Sequence, residues 1–294
     1  MINNQIVDQP VLSETPPAPL ATVTESPEPT ATSPPTITST PTITPIVILD
    51  PSPLEIEFTA EDGQVLSGVY FPADTNPAPL MILMHWARGD QEEWTEIALW
   101  LQNRSKLVRA PDYNDSWKSS DWYPENTSGI SMGVFTFTLR ECTGECQNYL
   151  PTEWLLDIQA AMTTAAGLTG IDSRRIMTAG ASIGADGAVN GCVWLNQSGL
   201  GECRGAFALS PGSLLLVPFE NAALELLQNE PPIPVYCLYG LRDDASVETC
   251  SAVPEAKLVD YGYVDYHGFE LLQPLRAPDP LILLLEFIET ALSE

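Results

Sequence analysis

Only two histidines occur in the 294 residues, and that scarcity orders any search for chemistry. A serine hydroxyl becomes a useful nucleophile when a base removes its proton, and imidazole is suited to that task near neutral pH. His267 lies late in the chain, in Asp265-Tyr266-His267-Gly268-Phe269, while His85 ends the apolar run Leu80-Met81-Ile82-Leu83-Met84. The serine to be activated is Ser182, in Gly180-Ala181-Ser182-Ile183-Gly184. A strand-like run, Arg175 to Thr178, leads into it, and an Ala/Gly-rich stretch that can turn helical follows. A strand that reverses sharply into a helix strains the residue at the turn and lifts its side chain clear of the sheet. The residues two before and two after must then be small, and here both are glycine.

A base of this kind needs a carboxylate to orient it and to stabilise the imidazolium formed during attack. The segment Tyr239-Gly240-Leu241-Arg242-Asp243-Asp244 follows a strand-like run, and Asp243 is the candidate acid. Asp244 is the alternative, although the second acid is expected to point outward. The negative charge that develops on a substrate carbonyl calls for two backbone N–H donors. One is that of Ile183, and the other comes from the loop after His85, at Ala87 or else Trp86. His85 itself is expected to shape that loop rather than serve as the base. The chemistry is then attack by Ser182 on a substrate carbonyl, proton transfer through His267, and hydrolysis of the resulting acyl-enzyme. Trp86, Trp117 and Trp122 are candidate walls of a substrate pocket, although Trp117 and Trp122 fit equally a loop held down by buried rings. Arg88 reads as a contact for an acidic substrate or as an exposed or ion-paired structural residue.

The elements that must position these groups alternate between strand and helix. Glu55 to Thr59 and Val65 to Phe71 read as a hairpin around Glu61-Asp62-Gly63. Leu80 to His85 is continuously apolar, as expected of a strand covered on both faces. Asp90, with Glu93 three residues on, reads as the cap of a helix carrying Trp94, Ile97, Ala98 and Leu101 at helical spacing. An irregular stretch rich in Trp, Tyr, Ser and Asp separates Asn103 from a strand at Gly133 to Leu139. A helix over Pro151 to Leu168, started by Thr152, precedes the Ser182 strand, and another helix runs from Ile183 towards Leu195. Further strands are expected at Ala206 to Leu209, Pro234 to Tyr239 and Ala256 to Tyr263, and Asp279-Pro280 opens a terminal helix. This alternation predicts an α/β domain: a mostly parallel sheet of about eight strands with helices on both faces.

Residues 1–53 are a different material, rich in Pro, Thr and Ser and lacking Trp, Tyr and Phe. Such a segment buries too little apolar surface to offset the cost of ordering and reads as a disordered linker ahead of one domain over residues 54–294. The net charge of −27, with three lysines, excludes phosphate backbones and anionic lipid as natural partners. The longest apolar run, Leu281 to Leu285, is too short to span a bilayer, and Met1-Ile2-Asn3-Asn4 lacks the features of a signal peptide. A Pro/Thr-rich stalk is nonetheless typical of exported proteins, so a signal or lipid-anchor segment is expected before residue 1, with an extracellular or cell-surface location. The six cysteines fall into the local pairs Cys142/Cys146, Cys192/Cys203 and Cys237/Cys250, which suggests disulfides formed in an oxidising compartment. Buried free thiols are the alternative. A zinc site does not fit these spacings with two histidines.

Together these segments resemble the α/β-hydrolase superfamily, nearest its dienelactone-hydrolase-like and acyl-peptidase-like esterase branch. The resemblance rests on His85-Trp86-Ala87-Arg88-Gly89-Asp90, Asp172-Ser173-Arg174-Arg175-Ile176, the Ser182 pentapeptide, Ser210-Pro211-Gly212, Gly240 to Asp243 and His267-Gly268. The chain order Ser182, Asp243, His267 is that of the superfamily, which implies Ser-His-Asp ester chemistry without a cofactor. Dienelactone hydrolases proper use a cysteine nucleophile, so their substrate does not carry over. Trp86 stands where relatives carry the glycine of a His-Gly pair. The expected activity is a secreted or surface-tethered carboxylic ester hydrolase acting on a small-molecule ester. A serine peptidase and a catalytically silent binding protein are the alternatives.

Overall fold

The computed structural model describes residues 50, 52–104, 123–273 and 276–293. The linker expected up to residue 53 therefore lies almost wholly outside the described residues, as do Trp117 and Trp122. The hairpin forms as read: β1 (Leu54–Thr59) pairs antiparallel with β2 (Val65–Phe71), and Gly63 at φ 90° makes the turn that a side chain would resist. The remaining strands are β3 (Ala78–Met84), β4 (Gly133–Phe137), β5 (Ile171–Ala181), β6 (Cys203–Leu209), β7 (Val235–Tyr239) and β8 (Lys257–Asp260). They form one eight-stranded sheet in the order β1-β2-β4-β3-β5-β6-β7-β8, antiparallel in its first two pairings and parallel thereafter.

Among the described residues six α-helices cover this sheet: α1 (Thr95–Leu101), α2 (Pro151–Ala166), α3 (Ile183–Ser198), α4 (Phe219–Leu227), α5 (Asp244–Ser251) and α6 (Pro280–Leu292). Successive strand residues point to opposite faces, and β3 shows why its run had to be apolar throughout. Leu80, Ile82 and Met84 enter a core with Trp154 and Ile158 of α2, Val189 of α3 and Phe219 of α4. Met81 and Leu83 enter a second core with Ile97 and Leu101 of α1 and Leu284 and Phe287 of α6. The three cysteine pairs are bonded as their local spacing suggested. All of them belong to the first core: five of the six cysteines are buried in it, and Cys146 packs against it.

Several element ends differ from the sequence reading, each for a local reason. Asp90 does accept a hydrogen bond at a helix start, from the N–H of Glu92, but the first turn, Gln91–Trp94, is a 3-10 turn before α1. Pro151, not Thr152, starts α2, a position where its fixed φ and missing N–H cost nothing. β5 extends well beyond Arg175–Thr178 because it pairs on both edges, with β3 and β6. β8 is shorter than expected because it pairs with β7 alone and Gly262 at φ 73° turns the chain away. Helices α4 and α5 escaped the sequence reading altogether. Among the described residues no helix is long and apolar enough to cross a membrane.

The two glycines around Ser182 are held by close backbone approach. A Cβ on Gly180 would sit 1.9 Å from the Gly184 carbonyl oxygen, and one on Gly184 would sit 2.3 Å from the Met84 carbonyl oxygen. Gly180→Ala and Gly184→Ala should each cost about 3 kcal/mol or prevent folding, because backbone must shift. Gly199→Ala, at φ 71° but in open space, should cost about 1 kcal/mol from its left-handed conformation alone. Urea denaturation of the three variants checks this, and equal losses at all three sites would refute the role of close approach.

Candidate active site

The register of the central strands brings the candidate residues to one rim. Met84 lies opposite Gly180, Ala181 opposite Leu209, and Leu209 opposite Leu238, so the segments beginning at His85, Ser182, Ser210 and Gly240 all leave the sheet at neighbouring positions. In a parallel sheet this is the edge outside the carboxyl ends of the strands, where adjacent loops diverge and leave room for a ligand. Ser182 itself caps α3 at φ 54° and ψ −119°, a conformation that a non-glycine residue holds only under constraint. The constraint comes from both sides. Its N–H donates to the Leu209 carbonyl at 2.8 Å, and its own carbonyl accepts from the N–H of Ala185 at 2.8 Å.

Three side chains meet over that turn. Ser182 Oγ lies 2.7 Å from His267 Nε2, and His267 Nδ1 lies 2.6 Å from Asp243 Oδ2. A carboxylate can only accept, so Nδ1 carries the ring hydrogen and Nε2 is left to accept from the serine hydroxyl. Asp243 caps α5, and Ser246 completes its fixation, with Oγ donating to Oδ2 at 2.6 Å. Burial would raise the Asp243 carboxyl, but the hydrogen bonds from His267 and Ser246 outweigh it and hold the group below its ordinary value. Asp244 is exposed and begins α5, away from the imidazole contact. The His267 backbone is held in turn, its N–H donating to Glu270 Oε2 at 3.0 Å.

His85 is fully buried and sits outside this trio. Its Nε2 accepts from the Leu139 N–H at 3.0 Å, so its hydrogen must be on Nδ1, which donates to the Trp86 carbonyl at 2.7 Å. The peptide group is planar and trans, so a Trp86 carbonyl turned to the imidazole directs the Ala87 N–H the opposite way. Ile183, the other expected donor, is the first residue of α3, where an N–H has no carbonyl one turn earlier to bind. Trp86 is 5% exposed, and its ring packs edge-on against Phe269 and so close beneath Gly268 that a Cβ there would lie 2.9 Å from Trp86 Cε3. Most of this ring thus supports the His267 segment rather than facing open space. Arg88 is exposed and lies 3.9 Å from Glu270 Oε1. Among the described residues no group of three or more His, Cys, Asp or Glu side chains is placed to hold a metal ion.

The fold recurs among solved structures. The fold is similar to that of a bacterial heroin esterase (TM-score 0.56, 16% identity, covering 83% of this chain and 85% of the other). It is also similar to a Pyrobaculum calidifontis esterase (TM-score 0.55, 13% identity, 82% and 87%) and a Pyrococcus furiosus esterase (TM-score 0.52, 16% identity, 82% and 92%). This is the α/β-hydrolase fold. No protein-family model matches the sequence, and no curated protein sequence matches it.

Within this hydrolase fold three residues that shape the site were not found by sequence reasoning. Ser246 stands three residues after Asp243, and Glu270 three after His267; both are cap spacings that the sequence displays. Asp186 is the third. It is buried one turn into α3, and its carboxylate accepts from the N–H groups of Gly212, Ser213 and Leu214, fixing the segment that leaves β6 beside Ser182. Burial pushes its carboxyl up to about 7 against those hydrogen bonds.

Burial also lowers His85 from 6.5 to about 4, which has a consequence for stability. Below pH 6.5 the imidazole of the unfolded chain takes a proton that the folded one refuses until about pH 4. The unfolded state therefore binds more protons, and stability falls as pH falls through that window, by about 3 kcal/mol from this group. His85→Gln should start less stable and show a correspondingly shallower decline. Urea midpoints measured from pH 7 to 4 check it, and parallel curves for the two proteins would refute it.

Proposed function

We propose that this protein is a serine hydrolase of carboxylic esters, working through Ser182, His267 and Asp243 and an acyl-enzyme. The observation that carries the reading is the unbroken hydrogen-bond chain from the Ser182 hydroxyl through His267 to Asp243, at 2.7 and 2.6 Å, beneath a strained turn. As the hydroxyl attacks the ester carbonyl, its proton passes to His267 Nε2. Asp243 stabilises the imidazolium through Nδ1, and the same proton then goes to the departing alcohol. The N–H groups of Ile183 and Ala87 receive the carbonyl oxygen as it gains charge. Water repeats the cycle on the acyl-enzyme with His267 as base. The naming of three fold neighbours as esterases supports ester over other acyl substrates.

Export to an oxidising compartment is part of the proposal. Three disulfides within one domain persist where thiols are not kept reduced, and a net charge of −27 suits a soluble partner rather than an anionic surface. Residues 54–294 form the catalytic domain in this reading, with the preceding segment as its tether.

A fluorophosphonate probe should label the folded protein once, and Ser182→Ala should abolish the labelling. Absence of labelling on folded wild-type protein would favour a silent binding protein. Asp243→Asn should lower turnover by about four orders of magnitude, Asp244→Asn should change it little, and Ser246→Ala should lower it about tenfold through loss of one charge-assisted hydrogen bond. Short-chain nitrophenyl esters should be cleaved far faster than peptide anilides, and the reverse preference would indicate a peptidase.

A further inference from the structure

Three backbone N–H groups of the loop between β4 and α2 donate to the segment after β3. Leu139 N–H donates to His85 Nε2 at 3.0 Å, Gly144 N–H to Asp90 Oδ2 at 2.9 Å, and Cys146 N–H to the Ala87 carbonyl at 2.8 Å. The peptides flanking Ala87 are therefore gripped in sequence, the one before it by His85 and the one after it by Cys146. The near half of the loop has its own anchors. Arg140 pairs with Asp62 of the hairpin turn and with Asp157 of α2, and its carbonyl accepts from Trp154 Nε1 at 3.1 Å. The far half, residues 143–147, is exposed apart from Cys146, and it returns to the near half through the Cys142–Cys146 disulfide and the Gln147 N–H to the Glu141 carbonyl at 2.9 Å.

We infer that the Cys142–Cys146 loop is a positioning device for the Ala87 N–H, and that reduction of this one disulfide by a dithiol lowers turnover while leaving the fold intact. The inference rests on the hydrolase reading above, in which Ala87 receives the developing oxyanion. Two observations set this bond apart from the other two. Cys146 is half-buried on an exposed loop, whereas Cys192, Cys203, Cys237 and Cys250 are all buried, and access governs thiol–disulfide exchange. It also closes the shortest of the three loops, with a separation of 4 residues against 11 and 13. Its contribution to global stability through chain entropy is therefore the smallest. Its effect falls on geometry.

In the exchange a thiolate of the dithiol attacks a sulfur of the bridge, the S–S bond breaks, and the dithiol's second sulfur closes on the first. Two electrons and two protons pass to Cys142 and Cys146, which become thiols, and the dithiol becomes a disulfide. The freed far half then keeps Cys146 N–H on the Ala87 carbonyl by surface hydrogen bonds alone. The triad is untouched, since His267, Asp243 and Ser182 receive no contact from this loop among those described above.

The test uses the full chain, oxidised, exposed to graded dithiothreitol and then alkylated, with each cysteine followed by peptide mass spectrometry. Expected is that Cys142 and Cys146 become alkylated first. At that point kcat for a short-chain nitrophenyl ester has dropped about tenfold, part of the 10²–10³ that loss of an oxyanion donor costs, with KM within twofold and Tm nearly unchanged. Fluorophosphonate labelling of Ser182 in the oxidised protein reports separately on the hydrolase reading. Amide hydrogen exchange at residues 86–90 gives a readout independent of activity, and should accelerate on reduction. The double variant Cys142→Ala/Cys146→Ala should reproduce both changes. Unchanged kcat and unchanged exchange in protein alkylated at these two cysteines would overturn the positioning role. Earlier reduction of the buried pairs would overturn the selectivity.

Discussion

Ser182 at φ 54° holds a backbone conformation that an L-residue leaves unless its surroundings forbid it. The surroundings do so by proximity: Gly180 and Gly184 bring α3 against the ends of β3 and β5 so closely that a single methyl on either would overlap a carbonyl. Once those backbones touch, the Ser182 N–H meets Leu209 of β6. The serine side chain has then one direction left, away from the sheet and towards His267. Much of the rest follows from supporting that approach. β3 must be apolar on both faces because it lies beside β5 at the centre of the sheet, and α3 must carry small residues along the face it lays on the strands.

The two histidines show how environment divides one side chain into two trades. His85 is enclosed, spans a backbone carbonyl and a backbone N–H, and is kept neutral by burial. It acts as a rigid strut between the loop after β4 and the segment after β3. His267 is partly exposed and spans a carboxylate and a hydroxyl. A carboxylate on one ring nitrogen fixes the tautomer, and a hydroxyl on the other supplies the proton. The same contrast separates Asp243, held low by its hydrogen bonds, from Asp186, pushed up by burial at the base of the neighbouring loop.

Much of the fold was legible because the relevant signals are local. The continuous apolar run of β3, the hairpin alternation and the Asp279-Pro280 start of α6 each reflect a requirement met within a few residues. Pairing decided the ends of β5 and β8, and pairing partners are distant in sequence. Helix α4 had a readable face in Phe219, Ala222, Ala223 and Leu226, whereas α5 is eight residues long and carries little apolar pattern. At the candidate site Ser182 was readable because its flanking glycines encode a steric demand, and His267 because histidines are so few. Ser246 and Glu270 act on neighbours three residues away, a spacing shared by countless ordinary turns. Asp186 looks like any polar helix residue until its depth beneath Gly212 to Leu214 is seen.

The cross-links are distributed unequally. All three lie in the layer formed by α2 to α5, which also carries Ser182 at the head of α3 and Asp243 inside the Cys237–Cys250 span. The opposite layer, α1 and α6, has no covalent tie, and it is there that Phe269, Leu271 and Leu272 seat the segment bearing His267. Local opening of the two layers therefore has unequal consequences. Loosening of the noncovalent layer carries His267 away from Ser182 and Asp243, which stay together on the cross-linked half. The hydrogen-bond chain through His267 is then the part of the molecule that covalent bonds protect least.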